Sequence, residues 1–130
     1  MKRRELIAMA GPSGGDSPPA APTLDLAALG LPVIADGRVR NYVFVNIRLH
    51  LAGGADPVRV RAKEPYFRDA LVRAGHRTPF TVADDWTVLD GDAIVRSVMA
   101  AAPGLAGAGV VRRVEIVSQT PQRRTGVRSR

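Results

Sequence analysis

Between Tyr42 and Leu51 the chain reads YVFVNIRLHL, a strict alternation of apolar and polar or aromatic positions. Val43, Val45, Ile47, Leu49 and Leu51 fall on one side of an extended backbone. Tyr42, Phe44, Asn46, Arg48 and His50 fall on the other. Successive side chains of a strand point to opposite faces, so this pattern predicts a half-buried strand. Burying five aliphatic side chains contributes on the order of 8–15 kcal/mol. Ordering ten residues costs about 10–20 kcal/mol. Such a strand therefore cannot stand alone and needs a sheet, with helices covering its aliphatic face.

The neighbouring segments supply candidates for both. Thr23–Leu29 reads as a short helical turn capped by Thr23, broken by Gly30 and Pro32. Val33 and Ile34 suit a brief edge strand, and Asp36-Gly37 suits a hairpin turn into the main strand. After the glycine turn at residues 52–57, Val58, Val60 and Ala62 alternate with Arg59, Arg61 and Lys63. This is read as a second strand with a cationic outer face, a helix being the rival. From Pro65, Phe67, Ala70, Leu71 and Ala74 recur at helical spacing, and Gly75 offers a left-handed stop. Thr78, Pro79 and Asp84–Trp86 mark an irregular connection in which Phe80 and Val82 plug the core. Asp90 or Asp92 caps a second helix, whose stripe is Ile94, Val95, Val98, Met99 and Ala102 and whose end is Pro103-Gly104. Val110–Gln119 reads as the last strand, with Val114 and Ile116 on one face and Arg113 and Glu115 on the other.

The expected fold class is α+β: a small, mostly antiparallel sheet with two helices packed on one face, and disordered N- and C-terminal tails. Residues 1–32 read as a flexible N-terminal segment, 33–120 as the α+β domain and 121–130 as a basic disordered tail. The stretch GPSGGDSPPAAP at residues 11–22 has a linker composition. Arg3 and Arg4 stand adjacent, as in twin-arginine export signals, but the apolar run after them stops at Gly11. The segment reads as a degraded signal. There is no apolar run long enough for a transmembrane helix.

Composition narrows the chemistry. With no cysteine there is no disulfide framework, thiolate metal site or cysteine nucleophile. The net charge is +7, but the first ten residues carry +2 and the last eight +4, which leaves +1 for everything between. A nucleic-acid domain more typically carries its charge on one face of the fold. Basic ends read as solvated tails or as weak tethers to anionic membrane surfaces. Arg123, Arg124, Arg128 and Arg130 form the one dense basic segment, with no aromatic among them to stack a base.

His50 and His76 lack metal-ligand spacing, and Asp84, Asp85, Asp90 and Asp92 do not follow a calcium-loop pattern. Gly104, Gly107 and Gly109 precede a strand, whereas phosphate-cradling glycines precede a helix. Ser13, Ser17, Ser97, Ser118 and Ser129 have no nucleophile-elbow context. No arrangement supplies a nucleophile, a base and an oxyanion hole together, so the reading is non-enzymatic, without cofactor or metal.

The order of YVFVNIRLHL, EPYFRDALVRA, GDAIVRSVMAA and VVRRVEIVSQTPQ resembles the periplasmic domain of the flagellar basal-body-associated FliL family, over roughly residues 39–122. The matching positions are Pro65, Arg68 and Asp69 at a helix start, and Val114 to Gln119 in a final strand. The family carries an N-terminal transmembrane anchor that these residues do not show, and an Arg-rich C-terminal extension is not typical of it. The resemblance implies a non-enzymatic assembly protein of the cell envelope or flagellar basal body. It would work by contact with a protein partner or with further copies. Arg68 and Asp69 would serve as packing or ion-pair residues. The alternative is a cytoplasmic binding module whose Arg-rich tail contacts nucleic acid or another polyanion.

Overall fold

The computed structural model describes residues 21–124. The twin arginines, most of the linker, Arg128 and Arg130 lie outside the described residues. The elements in order are β1 (Thr23–Ala35), β2 (Arg38–Leu51), α1 (Pro57–Arg61), α2 (Glu64–Arg77), β3 (Thr81–Val82), β4 (Asp85–Leu89), α3 (Gly91–Ala106) and β5 (Val111–Pro121). Strands β1, β2 and β5 form an antiparallel sheet in that order, and β3 and β4 form a separate two-stranded ribbon. The class is α+β, as the patterning predicts.

The alternating strand is β2, at the centre of the sheet. Val43, Val45, Ile47, Leu49 and Leu51 are all buried, and their odd-numbered phase begins one step earlier, at buried Asn41. Asp36 and Gly37 both have positive φ, 55° and 73°, at the turn from β1 into β2. That turn geometry matches the twist of the flanking strands. Helix α2 lies over β1 and α3 over β5, both on the aliphatic face. Phe67 and Leu71 from α2, and Ile94, Val98 and Ala102 from α3, complete one core with the sheet. Among the described residues no helix packs on the opposite face of β2.

Four readings of the sequence are corrected. Thr23–Leu29 is not a helical turn but the first half of β1, which therefore occupies residues 23–32 of the segment read as flexible. Leu24 and Leu26 enter the core, a register shift follows, and Leu29, Leu31 and Val33 enter it again. The extra residue between Leu26 and Leu29 is a β-bulge, which restores the later side chains to the buried face. Pro32 fits because β1 is an edge strand, where a missing N–H costs no ladder bond.

The segment read as a second strand is helix α1. Asp56 caps it by accepting from Val58 N at 3.0 Å, Pro57 occupies the first turn, and only Val60 is buried. Gly75 does not stop α2. It is buried inside the helix against Phe80, and a Cβ there would meet the ring at 3.2 Å, which favours glycine at this position. Helix α3 likewise runs through Pro103 to Ala106 and ends at Gly107, whose φ is 106°. Of the two candidate caps for α3, Asp90 performs the role, accepting from Ala93 N at 3.1 Å. The irregular connection after α2 contains the β3–β4 ribbon; Phe80 is buried there as expected, whereas Val82 is only half-buried and stays outside the core cluster.

Candidate interaction surface

The uncovered face of the sheet is built by the even-numbered residues of β2 and their cross-strand neighbours. At one end Asp25, Arg48 and Glu115 lie side by side across the three strands. Arg48 donates to both Asp25 oxygens, from Nε at 2.7 Å and from Nη2 at 3.3 Å. This hydrogen-bonded pairing holds the Asp25 carboxyl below its ordinary range and raises the Arg48 guanidinium. His50 Nε2 meets Glu115 Oε1 at 2.8 Å, and Arg113 Nη2 lies 3.5 Å from His50 Nδ1. A proton on Nε2 lets the ring donate to Glu115 Oε1. The His50 hydrogen bond is the main reason the Glu115 carboxyl is also lowered, with Arg48 assisting. In the middle Asn46 donates to Ser118 Oγ at 2.8 Å.

The other end is aromatic. Phe44 stands opposite Gly30 on β1 and Thr120 on β5. Its ring lies 3.0 Å from where a Gly30 Cβ would sit, so the glycine makes room for the ring. Tyr42 is opposite Pro32, which is fully buried. Tyr42 and Phe44 themselves remain 40% and 41% exposed, with Val39 and Val117 also exposed. One sheet face thus grades from alternating charges through neutral polar groups to aromatics. Amphipathic aromatics of this kind are favoured where proteins meet partners.

The two outer edges of the sheet differ. The bulge in β1 is gripped by α2: Arg68 Nη1 donates to Ala27 O at 2.8 Å and Ala28 O at 3.3 Å, while Ala27 N donates to Glu64 Oε2 at 2.8 Å. Further along, the Thr81 hydroxyl both accepts from Ile34 N and donates to Ile34 O. Among the described residues no side chain caps the β5 backbone in this way, although Gln119 projects from it. The Gln119 carboxamide accepts from Leu89 N at 2.8 Å and donates to Leu89 O at 3.2 Å, imitating a strand pairing toward β4.

Asn41 does the same at the C-terminal end. It is 4% exposed and exchanges two hydrogen bonds with the Arg123 backbone, donating to its carbonyl at 3.0 Å and accepting from its N–H at 3.1 Å. It also donates to Trp86 O at 2.9 Å. Gln122 N donates to Tyr42 O, so residues 121–123, assigned from sequence to the tail, are tied to the sheet.

Of the residues singled out in the sequence, Arg68 is the clamp on the β1 bulge. Asp69 is exposed and pairs with Arg73 at 3.0 Å along the same helix. The two neighbours therefore make separate contacts. Arg123 has its main chain anchored, and Arg124 is the last described residue. His76 plays a different part from His50: its Nδ1–H donates to Val72 O at 2.9 Å, one turn back along α2. Among the described residues no group of three or more His, Asp or Glu could hold a metal ion, and no helix is long and apolar enough to cross a membrane.

Asn41, Glu64, Thr81 and Gln119 were not singled out as anchoring side chains. Asn41 left a signal, since it occupies an inward position of the same alternation as Val43. The other three depend on partners 30 or more residues away. Comparison with protein-family models and with curated proteins finds no match to this chain.

Proposed function

We propose that the protein is a FliL-like assembly protein of the bacterial envelope that acts by protein–protein contact, using the uncovered sheet face as its docking surface. The observation that supports this reading most is the pairing of a helix-backed sheet with an open face that carries Tyr42 and Phe44 at one end and an ordered charge row at the other. A surface held by three hydrogen-bonded strands presents its side chains with little ordering cost on binding. The aromatics supply contact area. The Asp25–Arg48–Glu115 row, alternating in sign, would set orientation rather than affinity. The FliL-like order of strand, helix, helix and strand gives the partner class: a copy of the chain or another component of an envelope complex.

The test replaces Tyr42 and Phe44 together by Glu in the full chain. The double variant is expected to fold, and to lose at least tenfold in cross-linked or co-purified envelope partners. Retention of every partner, or recovery of the unaltered protein wholly in the cytosol after fractionation, would refute the reading.

A further inference from the structure

A cleft of about 620 Å³ lies on another part of the molecule, between α1 and the C-terminal end of α3. Its volume is in the range of small-molecule sites. Val60, Leu105, Ala106 and Val110 give it apolar walls. Arg59, Lys63 and Asp56 supply its charge. Arg59 and Lys63 are four residues apart across α1 and the turn that follows it. Ala62 N and Lys63 N bond back to Val58 O and Val60 O, which continues the helical path. One turn of separation brings the two side chains to the same side.

Neither cation has a carboxylate partner among the described residues. The arginines that do are Arg40, Arg48, Arg61 and Arg73. Lys63 instead lies over the Tyr66 ring, 5.5 Å from its centroid. Asp56 is occupied as the α1 cap. The cleft therefore combines apolar walls with a net charge of +1 from Arg59, Lys63 and Asp56.

We infer that this cleft binds a single-chain aliphatic carboxylate, a fatty-acid anion. The chain lies along Val60, Leu105 and Val110, and the carboxylate is held by Arg59 and Lys63. The apolar walls select an alkyl chain over a compact polar metabolite, because water leaves both surfaces together. The net +1 selects a monoanion over a phosphate monoester or dicarboxylate, whose second charge would face Asp56. Guanidinium and ammonium donors to one carboxylate make the strong, charge-assisted kind of hydrogen bond. The inference is independent of the docking reading, since none of these residues belongs to the uncovered sheet face.

Dodecanoate, kept below its micellar concentration, is the probe. Calorimetric titration of the full chain is expected to show one site. Amide shifts in a nitrogen–proton correlation spectrum should centre on Val60, Leu105, Ala106 and Val110. The exposed pair Arg59→Gln and Lys63→Gln should weaken binding at least tenfold with an unchanged melting temperature, and Ala106→Trp should block it. Dodecanol, with the same chain and no charge, should bind at least tenfold more weakly than dodecanoate.

Any of four results overturns the inference. Binding could be undiminished in the double variant, or equal for dodecanol. The shifts could instead be confined to Tyr42 and Phe44. Lastly, the chain could be captured by phosphatidylglycerol vesicles with no binding of monomeric dodecanoate. The docking reading would survive all four, since none of them tests whether a protein partner binds the sheet face.

Discussion

The two faces of the central sheet are made from alternate residues of the same strands, yet they obey different rules. On the covered face Ile47 and Leu49 are buried under α2 and α3, and specificity there is shape. On the open face Arg48 and His50, each one residue away from them, are held by hydrogen bonds to Asp25 and Glu115. The covered face therefore carries the stability of the fold, whereas the open face carries charge and aromatic surface at little energetic risk. Exposed ion pairs contribute little because solvent screens them and ordering long side chains costs entropy. A protein can rewrite such a face without unfolding, which a docking surface needs.

Substitutions that separate the two faces rank by size. Ile47→Ala, on the covered face, should cost about 3 kcal/mol in urea denaturation, since it opens a cavity among fully buried neighbours. Arg48→Ala, the next residue along, should leave the urea midpoint close to that of the parent protein. Equal losses at both positions would erase the distinction between the faces.

Asn41 tests the boundary where the inward phase of β2 turns polar. Asn41→Ala strands the Trp86 carbonyl and the Arg123 N–H and carbonyl. It should cost about 2 kcal/mol and release the segment after Pro121 to rapid amide exchange and proteolysis. Arg68→Met should cost about 1 kcal/mol by freeing the Ala27 and Ala28 carbonyls. Its sharper signature is faster exchange confined to the β1 bulge. An Asp69→Asn variant, which removes only an exposed pair with Arg73, should show neither effect.

The smallest effect is on acid stability. The Asp25, Asp85 and Glu115 carboxyls are all lowered in the folded protein, Asp25 by Arg48, Asp85 by the Thr87 hydroxyl and Glu115 by His50. Unfolded carboxyls titrate near pH 4. The contribution of these groups is therefore present above about pH 4 and is lost as pH falls through their folded values. Asp25→Asn should make the acid-side decline of the melting temperature shallower and leave the neutral value nearly unchanged. A decline identical to that of the parent would remove Asp25 from the account.

Much of this was legible in residues alone, where the signal was local. The alternation of YVFVNIRLHL demands a strand with one buried face because a period of two admits no other segregation. Asp36-Gly37 demands a tight turn because both residues tolerate positive φ. The stripe from Phe67 to Leu71, and that from Ile94 to Ala102, demand helices against that strand. Asn41 continues that inward phase one step before the stretch read from sequence, but its partners, Trp86 and Arg123, lie far along the chain.

What only the tertiary structure decided depends on groups distant in sequence. The leucines of β1 change phase between Leu26 and Leu29, and this break in period reads locally as a helical turn. It becomes a strand with a bulge because Arg68 and Glu64, about 40 residues later, bind the backbone groups that the bulge sets free. The Val-Arg-Val-Arg stretch alternates like a strand. It folds as α1 because the Asp56 cap and the burial of Val60 alone outweigh the alternation. The cleft beside α1 exists only because α3 passes Pro103 and delivers Leu105 and Ala106 to it. Local pattern sets which side of a segment seeks the core, but the partners of freed backbone groups and the gaps between elements arise only when distant segments meet.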